Sequence, residues 1–238
     1  MRAVSLHTEP NPQRLAETVA DFILETARQS VAERGCFVFA AAGGKTPEKT
    51  YQLLAHPPRS NTIDWRYVHI FFGDERCVPM DDKRSNANML QRVLLDSIVI
   101  PRRNVHPIPG EEGPQCGCRH YEAALQMFFQ GRLPRFDLVL LGLGDDGHTA
   151  SLFPNSPALS EMNTWVTDAV APDGVARITL TLPVLNNART VAFLVSGHSK
   201  ADAFKRACIR RDTQLPAARV MPGSGRLYWF ADSAAASP

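Results

Sequence analysis

A chain of 238 residues with 44% hydrophobic residues is long enough to bury a substantial core, and residues 1–238 are expected to form a single α/β domain. A formal net charge of +2 gives no argument for a nucleic-acid partner or an acidic membrane surface, and no apolar run approaches a membrane span. The first ten residues hold no apolar signal core, and five scattered cysteines suit reduced thiols, so a cytoplasmic protein is expected.

Asn11-Pro12 places an N-cap residue before a proline at the first helical position, and Leu15, Val19, Phe22 and Ile23 then repeat at helical spacing. Gly35 ends that helix. Cys36 to Ala42 is a short apolar run, expected as a buried strand, and it opens into Gly43-Gly44-Lys45-Thr46-Pro47. Thr46 is expected to cap the next helix, with Pro47 at its first position and Tyr51, Leu53 and Leu54 as apolar contacts. A strand, a glycine loop and a helix start make a phosphate cradle. Glycines let the backbone approach an anion, and the first N–H groups of a helix point at it. The loop is not a Walker motif, because Phe39 stands where the first glycine should be. A plain tight turn is the alternative.

Val68 to Phe72 is the next predicted strand, ending in the charged Gly73-Asp74-Glu75-Arg76. Ser85-Asn86 caps a helix bearing Met89, Leu90, Val93 and Leu94. Pro101 to Pro114 reads as loop. Cys116-Gly117-Cys118-Arg119-His120, with His106 upstream, matches no common zinc spacing. Tyr121, Ala124, Leu125 and Phe128 continue as an amphipathic helix to Gly131.

The stretch from Asp137 to Pro154 organises the chain. Its first half, Leu138 to Leu141, is continuously apolar, as in a strand buried on both faces. Three glycines then turn the chain and deliver Asp145, Asp146 and His148. In open α/β sheets ligands bind at the carboxyl ends of strands. A histidine there, oriented by a carboxylate, is a candidate general base. Gly142, Gly144 and Gly147 also fit G-x-G-x-x-G, with Asp168 about 20 residues on, where a ribose-binding acid would be sought. Two aspartates beside a pyrophosphate, and Pro154 cutting short the helix that should follow, argue against a dinucleotide site.

Trp165 to Val170 is a further predicted strand. Arg177 to Leu182 alternates polar and apolar residues, as in a half-exposed strand, and Pro183 starts a short helix. Thr190 to Val195 is another buried strand, running into Ser196-Gly197-His198-Ser199-Lys200. Ser199 is expected to cap a helix with Ala201, Phe204 and Cys208 inward. Leu227 to Phe230 is the last strand, and Ser233 to Pro238 a frayed tail. Strands alternating with helices predict a mostly parallel sheet with helices on both faces.

Taken together, Gly43-Gly44-Lys45-Thr46-Pro47, Gly73-Asp74-Glu75-Arg76 with Ser85-Asn86, the block from Gly142 to Pro154, Arg177 to Thr181, and Ser196 to Lys200 resemble the 6-phosphogluconolactonase family, in the family's order. The resemblance implies a Rossmann-like three-layer sandwich shared with glucosamine-6-phosphate deaminase. It implies hydrolysis of 6-phospho-D-glucono-1,5-lactone in the oxidative pentose phosphate pathway, with no metal or organic cofactor. With it, His148 is expected as general base and Asp146 as the group holding its imidazole. Asp74 is expected near the sugar hydroxyls or the water, and Arg76 near the lactone or phosphate oxygens. Gly43, Gly44, Lys45, Thr46, Arg177 and Lys200 are expected around the phosphate. Lys45 departs from the family, where a serine is common. Two other readings are a deaminase, which needs a glutamate where Phe153 stands, and a sugar-phosphate sensor. The sensor would need a helix-turn-helix, and only one long helix precedes the strand at Cys36.

Overall fold

The computed structural model describes residues 4–237. The chain begins with β1 (Val4–Glu9) and α1 (Pro12–Arg34), whose N-cap Asn11 accepts from the Arg14 amide and whose C-cap Gly35 is left-handed. β2 (Phe37–Ala41), α2 (Lys45–Leu54), β3 (Val68–Phe72), the short β4 (Asp74–Arg76) and α3 (Asn86–Val93) follow. Next come β5 (Val105–His106), α4 (Pro114–Phe128), β6 (Leu138–Leu141), β7 (Val166–Val170) and β8 (Ala176–Leu180). The chain closes with α5 (Leu182–Asn186), β9 (Thr190–Val195), α6 (Ala201–Phe204, continued by one π turn), β10 (Arg226–Asp232) and α7 (Ser233–Ala236).

Seven strands form one sheet in the order β1-β10-β9-β6-β2-β3-β5, every neighbouring pair parallel. Helices flank it, the expected α/β architecture. From β2 the chain steps outward through β3 to β5. It then crosses back to β6 and runs the other way to β9 and β10. The reversal lies between β2 and β6, where a parallel sheet opens a crevice beyond its strand ends. The glycine loop after β2 and the His148 loop after β6 therefore flank one opening. β2 and β6 are buried along their whole length, which is why both read as uninterrupted apolar runs. A second, antiparallel sheet, β4-β8-β7, stands beside this opening.

Several local expectations are corrected. β1 was not expected: it is an edge strand, exposed at Leu6, and its partner β10 lies at the far end of the chain. β5 hides two ladder residues in the Pro101–Pro114 loop. Helix α4 begins at Pro114, so the Cys116-Gly117-Cys118 run is helical. Thr46 does not cap α2; the chain turns at Gly44 (φ 101°) and the helix starts at Lys45. Nor does Ser199 cap α6; a 3-10 turn, His198–Lys200, precedes that helix. Ile178, Thr179 and Leu180 of β8 are all buried, because α4 packs on a strand whose alternation suggested one wet face. The tail is not frayed through Ala236: Asp232 caps α7 by accepting from the Ala235 amide, and Ala235 is buried. Pro238 lies outside the described residues.

Two tyrosines finish the strands that reach the opening. The Tyr51 hydroxyl accepts from the Ala42 amide at 3.0 Å and donates to the Ala42 carbonyl at 2.9 Å. Tyr121 does the same for both backbone groups of Phe72, each at 2.9 Å. Both rings are buried, and burial pushes both phenols well above their ordinary pKa. Each hydroxyl replaces a neighbouring strand at a place where the ladder stops. Tyr51→Phe keeps the ring and strands an amide and a carbonyl. The expected cost is about 1–3 kcal/mol in urea unfolding, and an unchanged midpoint would show that these bonds contribute nothing net.

Candidate active site

The opening is a cleft of about 640 Å³ lined by the ends of β2, β3, β6 and β9 and by the small sheet. Gly43, Gly44, Lys45, Thr46, Asp74, Arg76, His148, Arg177 and Lys200 all line it. Asp146 does not; it stands behind His148 and holds it.

The histidine loop is built by short-range hydrogen bonds. The Gly144 amide donates to the His148 carbonyl at 2.8 Å, and the Gly147 amide to the Gly144 carbonyl at 3.0 Å. Asp146 Oδ1 lies 2.5 Å from His148 Nδ1 and also accepts from the His148 amide at 3.0 Å. A carboxylate on Nδ1 fixes the tautomer with the proton there, which leaves Nε2 as a base. On one side the imidazole packs against the Phe153 ring, centroids 4.7 Å apart. On the other it lies over Gly144, where a Cβ would come within 2.0 Å of Nδ1. Glycine at 144 is what lets the ring lie flat against the backbone.

Asp74 leaves the end of β3 held by two partners. Ser151 Oγ donates to Oδ2 at 2.6 Å, and Asn86 Nδ2 donates to Oδ1 at 3.2 Å and to the Asp74 carbonyl at 2.8 Å. Asn86 in turn lies across Gly43, where a Cβ would fall 1.9 Å from Asn86 Oδ1. The glycine loop and the carboxylate are thus spaced by one amide side chain. Glu75, beside them, points the opposite way and is only 2% exposed. Its carboxylate accepts from the amides of Arg76, Asn86 and Ala87 at 2.7, 2.8 and 2.8 Å and from Ser85 Oγ at 3.0 Å. Burial raises its pKa against the pull of those amides. Glu75 therefore anchors α3 to β4 and is spent on structure.

Arg76 and Arg177 are direct cross-strand partners in the β4–β8 ladder. Arg76 donates to the Arg84 carbonyl, and Arg177 Nη2 pairs with Asp173 at 2.8 Å. The Nε atoms of both are buried without a protein partner. Lys200 Nζ pairs with Asp145 at 2.7 Å, which holds the Asp145 carboxyl below its ordinary pKa. The cleft therefore holds a pair of neighbouring guanidinium groups on the small sheet, a lysine beyond β9 and an oriented imidazole beyond β6. Sequence reasoning named these cations and Asp74, and missed Asp145 and Asp173 as partners of Lys200 and Arg177 and Asn86 and Ser151 as partners of Asp74. Asn86, Ser151 and Asp145 stood in recognised motifs, but only tertiary pairing gives them a role.

Among the described residues, no group of three or more His, Cys, Asp or Glu side chains is arranged to hold a metal ion, and no helix is long and apolar enough to cross a membrane. Asp168 lies on β7, in the small sheet, and not beside the His148 loop as a dinucleotide reading would need.

A family model described as glucosamine-6-phosphate isomerases/6-phosphogluconolactonase matches residues 10–229. A 6-phosphogluconolactonase of Synechocystis sp. is 40% identical over 230 residues, 94% of this chain and 94% of the relative. The structure of 6-phosphogluconolactonase from Trypanosoma brucei superposes with a TM-score of 0.87 at 29% identity, covering 99% of this chain and 98% of that one. A monomeric glucosamine-6-phosphate deaminase superposes with a TM-score of 0.81 at 20% identity, a likeness of fold alone. The chain belongs to the glucosamine-6-phosphate isomerase/6-phosphogluconolactonase family.

Proposed function

We propose that the chain hydrolyses 6-phospho-D-glucono-1,5-lactone to 6-phospho-D-gluconate, in the oxidative pentose phosphate pathway and in the cytoplasm, with no cofactor and no nucleic-acid partner. The kinship with 6-phosphogluconolactonases supports the reaction class. The observation that carries the mechanism is the His148–Asp146 pair, 2.5 Å apart, on a cleft that also holds Arg76, Arg177 and Lys200.

The phosphate binds at the cationic end, on the amides of Gly43, Gly44 and Lys45, the Thr46 hydroxyl, Arg177 and Lys200. Helix α2 points its first N–H groups there. That anchor fixes the lactone against His148. His148 Nε2 takes a proton from water as the water oxygen attacks the C1 carbonyl. Asp146 stabilises the imidazolium that forms, and Arg76 offers donors to the developing oxyanion. Collapse breaks the C1–O5 bond, and the imidazolium returns the proton to O5. The product acid then loses its proton to solvent. Asp74, held by Ser151 and Asn86, is placed to accept from a sugar hydroxyl or from the attacking water. A deaminase is the less favoured reading, because Phe153 packs on the imidazole where ring opening would call for a glutamate.

The lactone, generated in situ by glucose-6-phosphate dehydrogenase, gives the decisive assay against spontaneous hydrolysis. His148→Ala is expected to lower turnover roughly 100-fold or more with substrate affinity less affected; near-wild-type turnover removes His148 from the role of base. Gly144→Ala, whose new methyl falls on the imidazole, is expected to lower kcat similarly while the variant still folds. Lys200→Ala is expected to raise KM for the phosphorylated lactone about 10- to 150-fold, with a much smaller effect on unphosphorylated gluconolactone. Equal losses on the two substrates would place the phosphate elsewhere.

A further inference from the structure

Two of the cations assigned to the phosphate are each paired with a carboxylate from a turn at the cleft rim. Lys200 pairs with Asp145 at 2.7 Å and Arg177 with Asp173 at 2.8 Å. Asp145 sits in the turn closed by the Gly147 amide on the Gly144 carbonyl. Asp173 sits in the β7–β8 turn closed by the Gly174 amide on the Ala171 carbonyl. We propose that Asp145 and Asp173 are exchangeable counter-ions, displaced by the phosphate of the ligand, and that they thereby set its affinity and its release. The inference rests on the lactonase reading of the same cleft.

Exposure supports exchange over permanent pairing. The cations are the enclosed members, 26% exposed for Lys200 and 12% for Arg177, and the carboxylates are the wet ones, 65% and 57%. A carboxylate so solvated moves into water at little cost, and an exposed pair of this kind is worth only a factor of about 1.4 to 5 in an equilibrium. A phosphate brings up to two charges and three acceptor oxygens to the same donors. It cannot share them comfortably, because each carboxylate would then stand beside a like charge. Arg177 also keeps one donor in reserve: its Nε is buried and has no protein partner while Nη2 is held by Asp173. The alternative is that the carboxylates aim the cations, as Ser199 donating to Asp145 at 3.2 Å would allow. The two roles predict opposite signs when the charge is removed and the shape kept.

Calorimetric titration with inorganic phosphate at low ionic strength, and with 6-phosphogluconate as a second probe, tests the sign. Asp145→Asn and Asp173→Asn are each expected to tighten binding about two- to fivefold, and the double variant by about the product of the two. Lys200→Ala, titrated alongside, is expected to weaken binding of both probes. If Lys200→Ala weakens binding while the two amide variants are unchanged or weaker, the carboxylates are positioning groups and the exchange is overturned, with the phosphate site intact. If Lys200→Ala leaves both probes unaffected, the phosphate assignment itself fails and the exchange fails with it.

Discussion

Backbone polar groups at the carboxyl ends of buried strands are the constraint on which the cleft depends. A strand that is apolar on both faces has to leave the sheet without stranding an amide or a carbonyl. In this chain a side chain closes each end that reaches the opening. Tyr51 closes β2 at Ala42, and Tyr121 closes β3 at Phe72. Thr149 Oγ1 donates to the Gly142 carbonyl beyond β6, at 2.8 Å. Asp232 takes the Gly197 amide and the Ser196 hydroxyl beyond β9, and the α7 cap as well. Because these ends are satisfied internally, the loops beyond them are free to present Lys45, Asp74, His148 and Lys200 to the cleft. Of the residues that close these ends, Tyr51, Tyr121 and Asp232 do not line the cleft, and Thr149 does.

The same constraint explains what was legible in the sequence. Buried strands run with little or no polar interruption, His69 in β3 being one, and lead into polar or charged loops, so β2, β3, β6 and β9 and their loops stood out together. His148, Asp146 and the cations were legible because nothing in a folded core asks for them at a strand end. Partnerships were not legible. Glu75 looked as functional as Asp74 and Arg76 beside it, yet it caps α3 from within. Asn86 and Ser151 carry no signal until they are seen on Asp74. Edge elements failed for another reason. β1 owes its conformation to a partner 220 or so residues away, and β5 to two ladder residues on β3, so neither has a pattern of its own.

The small antiparallel sheet gives the cleft its charge. Pairing β4 with β8 sets Asp74 opposite Thr179 and Arg76 opposite Arg177. Two like charges directly opposed on a sheet are unfavourable, and here both guanidinium stems are partly enclosed. Asp173, at the tip of the adjoining hairpin, relieves that repulsion by pairing with Arg177, and the Val175 amide, then Arg177 and Arg76, hold the Asp173 carboxyl below its ordinary pKa. The fold thus tolerates a cationic floor only where an anion of some kind is at hand.

On the proposed reading, the neighbour of the histidine is what favours hydrolysis over ring opening. Its Nδ1 is committed to Asp146, and its face to Phe153, which is itself 7% exposed and part of the core. That leaves Nε2 as the nitrogen on which the proposed transfer of a proton from water to the ring oxygen rests. Ring opening of an amino sugar followed by isomerisation moves a second proton between carbon and oxygen. A phenylalanine edge offers no group to accept or deliver it. The two sides of one imidazole, acid behind and ring beside, suit the single reversible proton transfer proposed for this cleft.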